Sequence, residues 1–359
     1  MKDYSSLYYS TYSPPVSVIY PSIFREESLP KSVHKELSWK FCNRAGRQVP
    51  EAFVLNLPSG RVWGSNGAVI TRENILLADI SREFGSRSGH SFFRKGIQSK
   101  PVKISGTVAV LLTAGGNTYY HWMFDIIPRL HLIDKAGLRD RIDKFLLPPI
   151  LHAYQKESLK YLSIGPSSIL EVEGPSFYIE ADHLIAPSLP SLLGTINDWG
   201  VKFVKELFLN QPLPEVDSRE RIYISRRKAE NRRISNEGEL RSLLERFGFD
   251  IIEAENYSLL EQAAIFKKAK VVMGPHGSGF TNLIFSQPGT VVIELFSSDF
   301  VVPCFWTLAN LSSLNYYCVL NGETDKAFFD PYWDSVASDY DFPPRLIEQT
   351  FEMAGISIK

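Results

Sequence analysis

Residues 270–294, KVVMGPHGSGFTNLIFSQPGTVVIE, constrain the fold of this chain more than any other segment. Their pattern predicts a buried strand at 271–273, a glycine-rich turn at 274–279, a short helix at 280–285 and a second buried strand at 291–293. We interpret the glycines of the turn as positions that take positive φ or that let a ligand approach the backbone. The N-terminus of the following helix would direct free N–H groups and a positive dipole end at the turn, which suits a diphosphate. The segment therefore indicates an α/β sheet with an anion site of the nucleotide type.

Length and composition restrict the class of protein. The 359 residues exceed what one compact core usually holds, so two domains are expected. A hydrophobic content of 44% and a charged content of 22% are typical of globular proteins. The formal net charge of -1 provides no overall field for nucleic acid or an anionic membrane. We therefore expect no nucleic-acid partner, and any anion site must be a local cluster of basic groups.

The cysteines and the N-terminal sequence bear on the compartment. The 3 cysteines have neither metal-ligand spacing nor the pattern of a disulfide framework, which favours a reducing compartment. Residues 1–15 lack the apolar core of a signal peptide, and no apolar run approaches the ~20 residues that span a bilayer. The expected location is the cytoplasm, either free or peripheral at the inner membrane.

The first half of the chain predicts a layer of strands and helices. Before residue 100 prolines interrupt the pattern, and short strands are predicted only at 52–57 and 67–70. Beyond it, the predicted elements are strands at 107–113, 145–147, 169–172 and 183–186 and helices at 119–133 and 155–162. Pro128 is expected to kink the first of these helices or to mark a boundary in it. Alternation of this kind is typical of βαβ units.

The second half alternates more regularly. The predicted elements that precede the 270–294 segment are strands at 221–225 and 249–252 and helices at 236–247 and 258–268. Short connections between them predict a parallel sheet with helices on both faces. The proline-rich residues 211–218 are the predicted linker. We therefore divide the chain into a domain of residues 1–212, a domain of residues 213–325 and a tail of residues 326–359 that could pack back on the N-terminal domain.

Three polar residues accompany the glycines of the 274–279 turn. His276 and Ser278 can donate hydrogen bonds to phosphate oxygens, and Glu294 ends a predicted strand, where open α/β sheets hold ligands. A buried glutamate needs a partner, which a ribose diol or a neighbouring arginine would supply. The alternative interpretation is that the glycines only make a tight connection between strand and helix.

A basic cluster follows the predicted strand at 221–225. Arg226 and Arg227 stand at its carboxyl end, on the sheet edge where the 274–279 turn is also expected. Guanidinium groups bind phosphates in a bidentate geometry and can neutralise a leaving diphosphate without a metal. The alternative is a solvated charged face, which we expect for Lys228.

The predicted helix at 119–133 carries a third group. His121 and Asp125 are four residues apart and share one face of that helix. The pair can hold a histidine general base beside a carboxylate, or it can place two ligands on a metal. A metal site needs further ligands, and no other His or Cys cluster in the sequence supplies them. A half-buried histidine that bonds within its own helix is the remaining alternative.

Together, the segments NTYYHWMFDIIPRL, YISRRKAENRRISNEGEL and EQAAIFKKAKVVMGPHGSGFTNLIFSQPGTVVIEL resemble glycosyltransferase family 61, formerly catalogued as a domain of unknown function, across residues 107–296. The resemblance implies an α/β, GT-B-like fold with two Rossmann-like domains facing a cleft, and inverting transfer from a nucleotide sugar, often a UDP-sugar, without an essential metal. The residues that match the donor-side motif are Arg226, Gly274, His276, Gly277, Gly279, Asn282 and Glu294. His121 and Asp125 match the acceptor-side motif, and Ser278 departs from the alanine of many relatives.

We therefore predict a metal-independent, inverting glycosyltransferase of the bacterial capsule or exopolysaccharide type, with a glycan or lipid-linked glycan as acceptor and no cofactor. His121 or Asp125 would deprotonate the acceptor hydroxyl. Arg226 and Arg227 would hold the diphosphate together with the amides of the turn, and Glu294 would hold the ribose. The alternatives are a GT-B-like nucleotide-sugar epimerase and a non-catalytic subunit that binds nucleotide or glycan in a polysaccharide-synthesis complex.

Overall fold

The chain forms two compact units. The computed structural model describes residues 16–83, 90–95, 100–190, 196–217, 220–322 and 338–358. As far as they are described, the first unit contains Met1–Ile23, Gln48–Leu193 and Lys202–Val204, and the second contains Phe24–Arg47, Gly194–Val201 and Lys205–Lys359.

The placement of residues 24–47 differs from the sequence-based division, which put them in a domain of residues 1–212. They lie in the second unit. The backbone N–H of Lys31 donates to the Tyr316 carbonyl at 3.0 Å, and the N–H of Cys318 donates to the Lys31 carbonyl at 2.9 Å. Pairing across so long a stretch of chain leaves no local pattern, which is why the sequence did not indicate it.

The predicted linker does not lie between the two units. Residues 211–217 form neither helix nor strand, but their contacts place them inside the second unit rather than at its start, and residue 218 lies outside the described residues. The chain passes from one unit to the other before this point, around residues 194, 202 and 205. The boundary predicted at 212/213 is therefore not where the two units separate.

Strands and helices alternate along most of the described chain, so the α/β prediction is confirmed. In chain order the strands are β1 Val16–Tyr20, β2 Ile23–Glu26, β3 Gly46–Val49, β4 Ala52–Pro58, β5 Arg61–Trp63, β6 Ala68–Ile70, β7 Val102–Val110, β8 Lys144–Leu147, β9 Ile169–Glu171, β10 Tyr178–Pro187, β11 Arg221–Ile224, β12 Asp250–Ile252, β13 Val271–Pro275, β14 Val291–Phe296 and β15 Asn315–Leu320. The α-helices are α1 Trp39–Cys42, α2 Ser91–Lys95, α3 Tyr119–His121, α4 Ile127–Lys135, α5 Ala153–Tyr161, α6 Asp198–Leu209, α7 Glu237–Arg246, α8 Leu259–Lys268, α9 Cys304–Leu311 and α10 Pro344–Met353.

The sheet of the first unit mixes antiparallel and parallel strands. Its order is β1-β4-β10-β7-β8-β9, with β5 paired to β10 and β6 paired to β5. The pairs β10–β7, β7–β8 and β8–β9 are parallel, as expected of βαβ units, whereas β1, β4, β5 and β6 pair antiparallel. Val108, Leu146 and Leu184 are fully buried in the core beneath this sheet.

The helix predicted at 119–133 is present but not uniform. Between α3 and α4 the chain takes one π-helical turn at Trp122–Ile126. Pro128 lies in the first turn of α4, directly after the π-helical turn. Pro128 therefore marks a boundary, which is one of the two outcomes that the sequence allowed.

The second unit contains the predicted parallel sheet, in the order β12-β11-β13-β14-β15. Leu244 of α7 and Phe351 of α10 pack with Tyr223 on one face of this sheet. Val292 and Phe296, which alternate to the opposite face, are equally buried. Apolar layers on both faces are what the near-continuous hydrophobic strands predict, and this prediction is confirmed.

The C-terminal tail does not pack as the sequence suggested. Residues 326–337 of the predicted tail lie outside the described residues, but α10 and its flanks contribute Phe342, Ile347 and Ile356 to the core of the second unit. The prediction that the tail packs on the N-terminal domain is therefore wrong. The cause is amphipathicity, since the apolar stripe of α10 packs in the same core as Leu244 of α7.

Candidate active site

The strand order of the second unit places a ligand site between β11 and β13. When its strands are numbered from β11, the order is 2-1-3-4-5, and the chain leaves β11 and β13 in opposite directions. Open α/β sheets bind ligands outside the carboxyl ends of the strands at such a switch point. Arg226 follows β11 there, and Gly277 follows β13. The two segments singled out in the sequence therefore meet at one edge of the sheet.

The glycines of the turn serve close packing rather than positive φ. None of the three belongs to the described glycines with positive φ, and Gly277 is extended, with φ 174°. A Cβ on Gly274 would lie 2.7 Å from the Ile224 carbonyl oxygen, and one on Gly279 would lie 2.9 Å from Ile224 Cγ2. A Cβ on Gly277 would lie 2.0 Å from Arg226 Nη1. The positive-φ interpretation is therefore wrong, and the glycines instead let the turn approach β11 and Arg226.

His276 is held by a buried carboxylate. Its Nδ1 lies 2.5 Å from Glu294 Oε1, and its side chain is only 10% exposed. Phe296, Phe300 and Phe305 surround the ring, with centroids 5.1, 5.7 and 5.5 Å away. Burial lowers the pKa of His276, and the Glu294 carboxylate opposes that shift. With Nδ1 bonded to Glu294, Nε2 is the ring nitrogen left for a ligand.

Glu294 has partners other than those expected from the sequence. It is fully buried, its Oε1 pairs with His276, and the Tyr316 hydroxyl donates to its Oε2. The carboxylate is thus paired with a histidine and a tyrosine, neither of which the sequence indicated as its partner. Tyr316 lies on the neighbouring strand β15, 22 residues along the chain, and no pattern in the sequence links the two. Contact of Glu294 with a ribose stays a prediction.

Arg226 lies against the turn. Its Nη2 donates to the Asn231 carbonyl at 3.0 Å, and its Nε donates to the Arg232 carbonyl at 3.4 Å. Burial lowers the pKa of Arg226 to about 10, so the guanidinium stays charged at neutral pH. A charged group with hydrogen-bond donors beside the amide of Gly277 can bind an anion.

Arg227 points elsewhere. It is 68% exposed, and its Nη2 lies 2.6 Å from Glu253, which also pairs with Lys228 at 2.6 Å. Hydrogen bonds from Lys228 and Arg227 lower the pKa of Glu253 to about 2. The structure therefore does not bring Arg227 together with His276, and its predicted contact with the donor stays untested.

Ser278 and Asn282 belong to the helix after the turn, which is a 3₁₀-helix at Ser278–Phe285. Ser278 is half-buried at its start. Asn282 is fully buried, and its Nδ2 donates to Gln262 Oε1 at 2.7 Å and to the Gly279 carbonyl at 3.2 Å. These bonds tie the turn to α8, so the structure gives Asn282 a supporting position. Its predicted donor contact stays untested.

The first unit contains the predicted His121–Asp125 pair. His121 Nδ1 lies 2.5 Å from Asp125 Oδ2, and the side chains are 16% and 8% exposed. The pair spans the π-helical turn, an irregularity that often occurs at functional sites. Trp122 fixes this turn, since its Nε1 donates to Ser158 Oγ of α5 at 2.8 Å. The sequence correctly predicted that the two side chains share a face.

Arg129 extends this group, although no role was predicted for it. It is fully buried, with Nη1 donating to the Leu112 carbonyl and Nη2 to the Pro187 carbonyl, each at 2.9 Å. These carbonyls lie at the carboxyl ends of β7 and β10. Burial lowers the pKa of Arg129 to about 9, and the charge of Asp125 opposes that shift. The spacing of four residues from Asp125 was a signal that could have found it.

Among the residues that the structure describes, His, Cys, Asp and Glu side chains do not gather in groups of three or more that could hold a metal ion. Independence from metal stays a prediction for experiment. Across the same described ranges, every helix is too short or too polar to cross a bilayer.

Comparison with known proteins supports the predicted family. Residues 119–293 match the family model of Glycosyltransferase 61. The matched range begins just before His121 and Asp125 and includes Arg226 and His276. It ends one residue before Glu294. The match supports a glycosyltransferase, as the sequence predicts.

Curated relatives point the same way. A beta-1,2-xylosyltransferase of Oryza sativa subsp. japonica is 36% identical over 62 residues, which is 17% of this chain and 12% of that protein. An EGF domain-specific O-linked N-acetylglucosamine transferase of Xenopus laevis is 31% identical over 120 residues, or 32% and 22%. A beta-1,2-xylosyltransferase of Arabidopsis thaliana is 31% identical over 62 residues, or 17% and 12%. The chain therefore spans less than a quarter of the length of each relative.

Proposed function

We propose that this protein is an inverting glycosyltransferase that moves a sugar from a nucleotide-sugar donor to a glycan acceptor. The observation that carries the proposal is the group of Arg226, Gly277 and His276 at the switch point of the parallel sheet, within the range that matches the family. The relatives named as xylosyl- and N-acetylglucosaminyltransferases favour a sugar donor. A UDP-sugar is the donor we propose.

The second unit would bind the donor. Arg226 supplies a lasting positive charge for the diphosphate, and the amides at the start of the 3₁₀-helix supply hydrogen-bond donors. Since Glu294 holds Nδ1, His276 presents Nε2 to the donor. These groups stabilise the negative charge that develops on the diphosphate as it leaves.

The first unit would bind the acceptor and supply the base. His121 is the more exposed member of its pair, and Asp125 holds its Nδ1. In the proposed role, Nε2 of His121 accepts the proton. In the proposed step, the acceptor oxygen bonds to the anomeric carbon as the bond from that carbon to the diphosphate breaks. The acceptor's proton passes to His121 Nε2, and the configuration inverts. Asp125 stabilises the imidazolium that forms.

We also propose which unit binds which substrate and where in the cell the enzyme acts. We propose a GT-B-like division of labour, with acceptor chemistry on the first unit and donor binding on the second, because each unit carries a His–carboxylate pair beside parallel strands. We further propose action without a divalent metal, on a glycan or lipid-linked glycan, in synthesis of a bacterial surface polysaccharide in the cytoplasm or at the inner membrane.

The test is a donor screen followed by turnover. Thermal shift of the full chain with a panel of nucleotide sugars identifies the donor, and release of nucleoside diphosphate with and without glycan acceptors measures transfer. His121→Ala is expected to lower turnover at least about 100-fold, the usual contribution of a general base. His183→Ala is the matched control, since His183 bonds Asn56 in the middle of the first sheet. Equal turnover by the two variants would refute the assignment of His121.

Product analysis separates the other enzyme class. A donor whose sugar is isomerised without an acceptor would indicate an epimerase. Donor binding with no turnover under any acceptor would indicate a subunit that only binds. Either result contradicts the proposed transfer.

A further inference from the structure

Tyr316 lies beside the buried carboxylate of Glu294, on the neighbouring strand of the second sheet. In the parallel register of β14 and β15, Tyr316 is paired with Val292. Val292 and Glu294 are two residues apart on β14, so their side chains and that of Tyr316 point to the same face of the sheet. The hydroxyl of Tyr316, itself a buried residue, donates to Oε2 of Glu294. The position of this phenol is therefore set by two paired strands.

The carboxylate of Glu294 has a hydrogen-bond donor on each oxygen. Oε1 lies 2.5 Å from Nδ1 of His276, and Oε2 accepts from Tyr316. Glu294 is fully buried, so water cannot take the place of either donor. Without the phenol, one charged oxygen would lose its donor, and the carboxylate would turn away from the imidazole or take up a proton. Tyr316 thus stabilises both the charge and the orientation of Glu294.

Further ionisable groups near Glu294 are neutral at physiological pH. Burial raises the pKa of the Cys304 and Cys318 thiols well above the usual value, and the Glu294 charge raises it further. Burial also raises the pKa of the Tyr340 phenol, and it raises that of Tyr316 well above the usual value. Tyr316 therefore remains a protonated donor, and these neighbours add no charge that could replace the carboxylate.

The imidazole of His276 also lies near positive charge. Besides burial, Arg232 and Arg226 lower the pKa of His276, and Glu294 opposes them. Three phenylalanine rings pack around the imidazole, but such rings do not distinguish its two nitrogens. With an ionised Glu294, the proton of the neutral ring lies on Nδ1, and Nε2 carries none. The nitrogen that a ligand meets therefore depends on the carboxylate.

We propose that Tyr316 is a positioning residue of the donor site: its hydroxyl holds Glu294 so that Oε1 stays on Nδ1 of His276 and Nε2 faces the donor. This role rests on the proposed function of the second unit. Tyr316 touches no substrate in it, because the residue is buried and its hydroxyl is bonded to Glu294. It acts through Glu294 and His276, so loss of its hydroxyl alone should change the protonation of Nε2.

Nitrogen NMR spectra of the imidazole in the unliganded protein test this link, with the His276 signals assigned from His276→Asn. Tyr316→Phe removes the donor to Oε2, which destabilises the form of the pair with a negative carboxylate and a neutral ring. The pair should then keep a proton to higher pH. Nε2 is protonated in either case, since a protonated Glu294 donates to Nδ1 and leaves the ring proton on Nε2.

The Nε2 titration of Tyr316→Phe is expected to lie about one pH unit above that of the wild type, which one hydrogen bond to a charged group can supply. Tyr317→Phe is the matched control. It makes the same change at the next residue of β15, whose side chain points to the opposite face and packs in the core with Phe351. An unmoved titration in Tyr316→Phe, or an equal shift in both variants, would overturn the proposal.

Glu294→Gln separates positioning from folding. The amide has no charge to stabilise, so adding Tyr316→Phe to Glu294→Gln should leave the Nε2 titration unchanged, even if the double variant melts lower. A shift in this background as large as the shift in the wild-type background would show that Tyr316 does not act through the Glu294 charge, and would refute the proposed role.

Calorimetry with UDP at several pH values distinguishes failure of this role from failure of the proposed function. The pH at which UDP affinity changes should move with the Nε2 titration in Tyr316→Phe and stay in place in Tyr317→Phe, while titration of UDP itself is common to both. If Nε2 moves and the pH profile of UDP binding does not, His276 does not meet the nucleotide, which refutes the proposed donor site and the positioning role with it. If Nε2 does not move, the role of Tyr316 alone is refuted.

Discussion

Two glycines of one turn are expected to respond in opposite ways to the same substitution. In Gly277→Ala the new Cβ falls 2.0 Å from Arg226 Nη1 and 2.8 Å from its Cζ, so the guanidinium must move. The backbone need not change, since φ 174° is open to any residue. In Gly274→Ala the new Cβ falls 2.7 Å from the Ile224 carbonyl oxygen, which belongs to a central strand and cannot move alone.

The losses of UDP affinity and of stability depend on which atoms must move to make room for the new Cβ. Displacing Arg226 removes its ligand contact and its bonds to two carbonyls, so Gly277→Ala should weaken UDP binding by about 1.5–3 kcal/mol. The fold should lose about 1 kcal/mol, because the displaced guanidinium and the two carbonyls that it leaves are only part-buried and can be solvated. Gly274→Ala forces β11 and β13 apart and should cost about 1–3 kcal/mol of stability, as overpacking does.

Urea unfolding and calorimetry with UDP measure the two effects on each variant. The expected pattern is a stable Gly277→Ala that binds poorly and a destabilised Gly274→Ala whose folded fraction binds UDP well. The reasoning is refuted if Gly277→Ala binds UDP like the wild type, because Arg226 would then not be a ligand. It is also refuted if the two variants lose stability equally.

Further predictions concern single groups. Arg129→Met leaves the carbonyls of Leu112 and Pro187 unpaired and should cost about 2–5 kcal/mol in urea unfolding; a loss below about 1 kcal/mol would contradict this. Because burial lowers the pKa of His276 below 6.5, the unfolded chain binds the proton more readily, so stability should fall as pH drops below about 6.5. His276→Asn should show a shallower decline between pH 7.5 and 5.5, and an unchanged slope would exclude His276 as its source. Arg227→Ala should change UDP affinity less than about threefold, since Arg227 is exposed and pairs with Glu253. A larger loss of affinity in calorimetry would show that Arg227 contacts the donor. Treatment with a chelator should leave transfer intact, and loss of activity that Mg²⁺ or Mn²⁺ restores would show a metal requirement.

Local sequence patterns predicted the second sheet because its elements are consecutive. The strand at 271–273 and the helices at 236–247 and 258–268 are each visible within about a dozen residues, and all are present. The side-chain pair His121–Asp125 was equally local, at one helical spacing. Such features are set by hydrogen bonding and hydrophobic periodicity along one element.

Features set by packing between distant segments were missed. The Glu294–Tyr316 bond depends on the register of β14 and β15, which no spacing in the sequence specifies. The close approach of Arg226 to Gly277 was not indicated, because it arises only once β11 lies beside β13.

The pairing of Lys31 with Tyr316 and Cys318 has a consequence during translation. Residues near Lys31 leave the ribosome long before the strand they accompany has been made, at ~5–20 residues per second. Until then, that early stretch has no strand to pair with. When β15 emerges, its unpaired outer backbone groups can pair with strands of other chains. Deleting residues 24–47 should therefore produce a polypeptide that aggregates as it is synthesised, whereas supplying the stretch as a separate peptide should rescue its yield.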